Sequence, residues 1–231
     1  MPERGQATFV LVHGAWADGS SWAPVIRLLQ KQGFHAVAAP IPLTSLTDDA
    51  AALRRTIARI QGPVVVAGHA YAGAVIATAD GQQVKVLVYV AALAPDESET
   101  VAQVFYRDPA HPNAPKLAPD ADGFIWMPDE SFAQAFAQNA TPEQIALCRA
   151  VQRPISITSI QQPVPSPAWK TKPAWYFLAE EDRMINPRTQ RFMAERMKAT
   201  VRSFAVDHTP LLTAPETVVD VILEAAQATL G

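Results

Sequence analysis

Val64-Val65-Val66-Ala67-Gly68-His69-Ala70-Tyr71-Ala72-Gly73 is the stretch on which the fold turns. A β-branched run leads into a tight turn, and a small-residue helix expected over Ala72 to Ala79 follows at once. Such a strand-to-helix turn holds its central residue in a strained backbone and lifts that side chain above the sheet. The residues two before and two after must be small, because strand and helix backbones approach closely there. Gly68 and Ala72 meet that need. The pattern is G-x-S-x-G with Ala70 in the serine position and Ala72 in place of the second glycine. Ala70 carries no hydroxyl and cannot attack a carbonyl.

Outward from this segment, short apolar runs alternate with helical patterns. Phe9 to Val12 reads as a first strand, followed by the loop His13-Gly14-Ala15-Trp16. Trp22, Val25, Ile26 and Leu29 recur at helical spacing and stop at Gly33. Val37 to Ala39 is a second strand. Leu46, Ala50, Leu53, Ile57 and Ile60 mark one apolar helix face, with Asp48 and Asp49 in a first turn where the helix dipole favours negative charge. Val84 to Ala92, Trp175 to Leu178 and Val201 to Val206 are further strands. Asn186-Pro187 starts one helix and Pro215 the last. Strands that read as continuous apolar runs between helices imply a parallel sheet covered on both faces. The expected fold class is α/β, a doubly wound, mostly parallel sheet of about six strands.

The alternation breaks between Pro95 and Pro173, where ten of the twenty prolines fall from Pro109 to Pro167. A structureless loop of that length is rare inside a compact domain. The segment is expected to be an inserted helical cap over residues 96–167, with short helices near Ser131 to Gln138 and Pro142 to Val151. Residues 1–95 and 168–231 then form the core. With 231 residues, 49% hydrophobic and a net charge of −3, the chain has a globular composition and no basic run suited to nucleic acid. The single cysteine, Cys148, fits a reducing compartment, and no stretch suits a signal or membrane segment, so a cytoplasmic location is expected. A homodimer is compatible with all of this.

These segments resemble the α/β-hydrolase family, in particular its compact branch of plant methylesterases, hydroxynitrile lyases and small bacterial esterases. The resemblance is carried by Val10-Leu11-Val12-His13-Gly14-Ala15-Trp16, Gly68 to Gly73, Leu87 to Ala92, Glu181-Asp182-Arg183 and Asp207-His208. It implies a triad in the order position 70, Asp182, His208, and an oxyanion hole made by the backbone N–H groups of Ala15 and Tyr71. Glu181 and Asp96 are the competitors for the acid. Asp207 is a poor orienter, since adjacent residues in an extended chain point to opposite sides. His13 and His69 are expected to be structural, and His35 and His111 to lie at the surface.

Trp16 and the cap aromatics Phe105, Phe124, Trp126 and Phe136 are expected to line a mainly apolar pocket. A small or medium hydrophobic ester, lactone or amide fits it. No metal or phosphate motif occurs, and the chemistry is expected to need no cofactor. Ala70 admits two enzymatic readings. Either serine is the original residue of an otherwise complete ester hydrolase and Ala70 inactivates it, which the retained frame favours. Or alanine is original and His208 with Asp182 acts as a base dyad, as in cofactor-free lyases or dioxygenases. A non-catalytic ligand-binding protein is a third class.

Overall fold

A computed structural model describes residues 7–231. One sheet of six parallel strands organises them. The strands are β1 (Thr8–Val12), β2 (His35–Ala39), β3 (Val64–His69), β4 (Val84–Val90), β7 (Ala174–Ala179) and β8 (Thr200–Phe204), in the spatial order β2-β1-β3-β4-β7-β8. The chain runs from β1 to one side and returns to place β3 on the other. This reversal at β1 is the switch point of a doubly wound sheet, where ligands gather beyond the strands' carboxyl ends.

Burial on both faces explains the unbroken apolar strands. Phe9, Leu11, Val65, Ala67, Val86 and Val88 face a layer made by α1 (Ala23–Lys31) and α10 (Pro215–Leu230), through Val25, Leu29, Val218 and Ile222. Val10, Val12, Val64, Val66, Leu87 and Tyr89 face the other way. They meet α2 (Leu46–Ala58), α3 (Ala72–Ile76) and α8 (Pro187–Arg196) through Leu53, Ile57, Val75 and Met193. The period of two along β1, β3 and β4 therefore separates two apolar layers rather than an apolar and a polar one.

Two glycines hold β3, its turn and α3 together. A Cβ at Gly68 would lie 2.9 Å from the Ala72 carbonyl oxygen, and one at Gly73 would lie 2.1 Å from that of Leu93. The small-residue helix is shorter than its sequence suggests, ending at Ile76. Asn186 caps α8 by accepting from the Arg188 N–H, with Pro187 at the first helical position.

Between β4 and β7 the chain forms α4 (Val101–Phe105), β5 (Phe124–Ile125), α5 (Asp129–Ser131), α6 (Pro142–Ala150), β6 (Ile155–Ser156) and α7 (Ile157–Gln161). The short helices expected in this segment are joined by a strand pair, β5 and β6, which run antiparallel. The short helix expected near Ser131 to Gln138 is a π-helix over Phe132–Phe136, a widened geometry common at functional sites. α9 (Pro210–Thr213) closes the loop that follows β8. Among the described residues no helix is long and apolar enough to cross a membrane.

Candidate active site

Position 70 has the backbone that the turn demands. Ala70 sits at φ 51°, in the left-handed region, and its carbonyl accepts from Gly73 and Leu93 N–H groups at 3.1 and 2.9 Å. A non-glycine residue there stores strain of about 1–2 kcal/mol. Turning the peptide this way presents the N–H of Tyr71 at the carboxyl end of β3. Ala15 lies in the loop beyond β1. Among the described residues neither the Ala15 nor the Tyr71 N–H donates to a protein acceptor. Both residues line one cavity with Ala70 and His208. Two free N–H donors flanking a turn can hold an oxygen that gains negative charge.

His208 follows β8, and its Nδ1 lies 2.8 Å from Asp182 Oδ2. Both residues are buried. Asp182 Oδ1 accepts from the N–H groups of Met184 and Ile185 at 2.7 and 2.8 Å, and Oδ2 also accepts from Gln190 Nε2 at 2.8 Å. The carboxylate thus fixes Nδ1 as the donor and leaves Nε2 for proton transfer. Glu181 is exposed, and Asp96 is tied to Lys170 at the surface, so neither competitor reaches the histidine. Asp207 accepts from Asn139 N–H, Thr209 N–H and the Thr213 hydroxyl, which secures the loop beneath His208.

His69 Nε2 donates to the His208 carbonyl at 2.7 Å, and the rings lie 4.9 Å apart. Burial pushes its imidazole well below the usual histidine range, with His208 adding to the effect. The neutral ring acts as a strut under His208. Burial also lowers His13, whose Nδ1 pairs with the Gly14 carbonyl at 2.9 Å.

The cavity is walled by apolar side chains, among them Trp16, Leu93, Val101, Phe105, Ile125 and Ile160, and measures about 60 Å³. Three of the aromatic expectations need correction. Phe124 and Trp126 do not line it: β5 alternates sides, turning Ile125 and Met127 inward and leaving Trp126 52% exposed, with its indole on Asp120. Phe136 packs against the His208 ring at 5.4 Å but lines a separate small cavity beside His69 and Cys148. Trp16 borders both cavities.

Sequence reasoning missed Asp49, Gln190 and the cap residues Val101 and Ile160. Its place in the first turn of α2 suggests that Asp49 serves the helix dipole. It is instead fully buried, accepting from Tyr71 Oη at 2.6 Å and Leu43 N–H at 2.7 Å. The dipole is served by Asp48, and Ser45 caps the helix. The only signal was that Asp49 falls at Leu46 plus three, on the apolar face of that helix.

Residues 9–221 match the sequence profile of the alpha/beta hydrolase family. The chain belongs to that family. It is 23% identical to norfluorocurarine synthase 2 from Strychnos sp over 255 residues, covering 95% of each chain. It superposes on polyneuridine aldehyde esterase with a TM-score of 0.82 at 20% identity, covering 95% of this chain and 98% of that one. A pyrethroid hydrolase from Sphingobium faniae JZ-2 gives 0.81 at 21% identity, over 96% and 98% of the two chains. Methylketone synthase I from tomato, in a variant complexed with β-ketoheptanoate, gives 0.85 at 16% identity, over 97% and 99%. At such identities the likeness to solved structures is one of fold.

Proposed function

We propose that this chain is a cofactor-free enzyme that forms and protonates an enolate, with decarboxylation of a medium-chain β-keto acid as its reaction. The observation that carries the reading is the elbow itself. Ala70 keeps the left-handed backbone that aims the Tyr71 N–H, yet supplies no atom for acyl transfer, while His208 and Asp182 stand paired beside it. What remains at the site is an oxygen-holding pair, a proton carrier and an apolar cavity. Those parts suffice for a carbanion step.

The substrate acid gives its proton to His208 Nε2 and becomes a carboxylate against imidazolium. The bond from the α-carbon to the carboxyl carbon breaks, carbon dioxide leaves, and the electron pair moves onto the ketone oxygen. The N–H groups of Ala15 and Tyr71 hold that oxygen as an enolate. His208 returns the proton to the α-carbon and a methyl ketone results. The apolar wall favours this step because charge spreads from the carboxylate as the bond opens. The β-ketoheptanoate bound by the tomato synthase supports the substrate class. The assay is carbon dioxide and 2-heptanone from β-ketooctanoate, with His208→Ala as control. Release at the uncatalysed rate by the unaltered chain sinks the proposal.

A second reading keeps the ester-hydrolase frame with Ala70 as an inactivating residue, acting on a small hydrophobic ester, lactone or amide. The esterase and pyrethroid hydrolase likenesses favour it. Under that reading Ala70→Ser creates turnover of short p-nitrophenyl esters with a burst, and a phosphonate labels residue 70.

A further inference from the structure

A carboxylate with no role in the dyad lies directly behind the elbow. Asp49 is fully buried on the first turn of α2, and among the described residues no Lys or Arg nitrogen lies within ion-pair distance. Burying a carboxylate with two hydrogen-bond donors and no cation is costly. The helix does not need it, since Ser45 and Asp48 already serve its N-terminus. Both of its donors lead toward the cavity. Oδ2 takes the phenol of Tyr71, whose peptide N–H is one of the two free donors at the cavity. Oδ1 takes the N–H of Leu43, a buried residue at φ 63° whose carbonyl accepts from Ser156 in the cap strand β6 at 2.9 Å.

We infer that Asp49 is the positioning residue of the oxyanion hole: gripping the Tyr71 phenol from behind, it sets the direction of the Tyr71 N–H, and through Leu43 it ties that setting to the cap. The tie explains three features at once. Tyr71 is anchored at its far end although its own backbone stands in a turn. Leu43 is held in left-handed backbone by one hydrogen bond at its N–H and one at its carbonyl. The buried carboxylate, raised by desolvation to about 6, is kept in a place where a neutral side chain costs less.

The inference rests on the enolate-holding role proposed above, and 2,4-nonanedione separates the two. This diketone ionises to an enolate with its own ultraviolet absorption, while 2-nonanone fills the same cavity without charge. Enolate affinity is expected to fall about tenfold or more in both Tyr71→Phe and Asp49→Asn, with 2-nonanone affinity changing less than about twofold. Charge alone predicts the reverse for Asp49→Asn, since removing a nearby negative group favours an enolate. Thermal melts verify that both variants fold. If the unaltered chain prefers the enolate and the two variants match or exceed it, the positioning role is overturned and the enolate site stands. If enolate and ketone affinities fall together, Asp49 is merely structural and the inference fails. If the unaltered chain shows no preference for the enolate, the oxyanion reading fails and takes this inference with it.

Discussion

Asp182 takes four hydrogen bonds, and that count explains how a carboxylate is tolerated in the core beside His208. Gln190 links two parts of this arrangement, donating to Asp182 and to the Ile185 carbonyl while accepting from the Ala179 N–H. Gln190→Leu leaves the Ala179 N–H buried without an acceptor and loosens the acid. We expect a loss of about 1–3 kcal/mol in urea unfolding and a fall in kcat without a matching rise in KM. Asp182→Asn removes the carboxylate that selects the tautomer, and turnover is expected to drop by up to ~10⁴, by analogy with triads of this geometry. Asp49 behaves differently, because it is strained by desolvation rather than satisfied. Its folded pKa of about 6 lies above the unfolded value of 3.8, so the fold gains stability as pH falls through 6 and has the full gain below 4. The shift is worth about 3 kcal/mol when complete. Acid acts oppositely on His13 and His69, which are kept neutral by burial and lose stability as pH falls below 6.5. The readout is therefore the difference in unfolding free energy between the unaltered chain and Asp49→Asn. That difference is expected to favour the variant at pH 8 and to shrink by pH 5. A pH-independent difference removes Asp49 from the account.

At the scale of elements, the junction of β3, its turn and α3 depends on a glycine where helix propensity alone asks for alanine. Gly→Ala inside a helix ordinarily stabilises by about 1 kcal/mol. At Gly73 the sign is expected to reverse, because the new Cβ meets the Leu93 carbonyl oxygen at 2.1 Å. Gly73→Ala should cost about 1–3 kcal/mol by thermal unfolding, whereas Gly81→Ala, with nothing within 4 Å, should be near neutral. This junction was legible from residues 64–73, because small residues at fixed offsets have a steric cause that survives without coordinates. The central strands β1, β3, β4 and β7 were legible for a similar reason: with both faces buried, each is a nearly continuous apolar run, whereas the edge strands β2 and β8 are only partly buried. The cap was less so. β5 and β6 are two residues each, too short to show a period, and the π-turn of Phe132–Phe136 widens a helix without altering its composition. Hence composition alone points Phe124 and Trp126 to the cavity, whereas the alternation of β5 turns Ile125 there. Asp49 and Gln190 escaped because polarity hides burial: their partners, Tyr71 and Asp182, lie 22 and 8 residues away.

At the scale of the molecule, the two arms of the segment between β4 and β7, one on each side of β5, are held to the core unequally. The arm carrying the π-turn is pinned to the loops of the dyad. Gln138 donates to the Glu181 carbonyl, Arg183 to that of Gln134, Asn139 N–H to Asp207, and Thr209 to the Phe136 carbonyl. The segment from residue 106 to 119 is anchored at its start, where Asp108 accepts from the Thr189 hydroxyl at 2.8 Å and the Pro109 carbonyl from Asn186 at 2.9 Å, but among the described residues 110–118 form only local hydrogen bonds. Ala114 and Asn113 N–H groups bond locally to His111, and Tyr106, on the cavity wall, is 64% exposed. A cavity of about 60 Å³ leaves a medium-chain ketone little free room inside its apolar wall. The weakly pinned stretch, which carries Leu117 on the cavity wall, is the part that can yield to a ligand at least cost. Hydrogen exchange with and without 2-nonanone tests this. Deuterium uptake is expected to fall over residues 101–119, where Val101, Ala102, Phe105, Tyr106 and Leu117 line the cavity, and to stay unchanged over residues 132–140. Protection centred on residues 132–140 instead would place the moving part at the π-turn. Entry would then pass beside Phe136, through the small cavity that shares Trp16 with the main one.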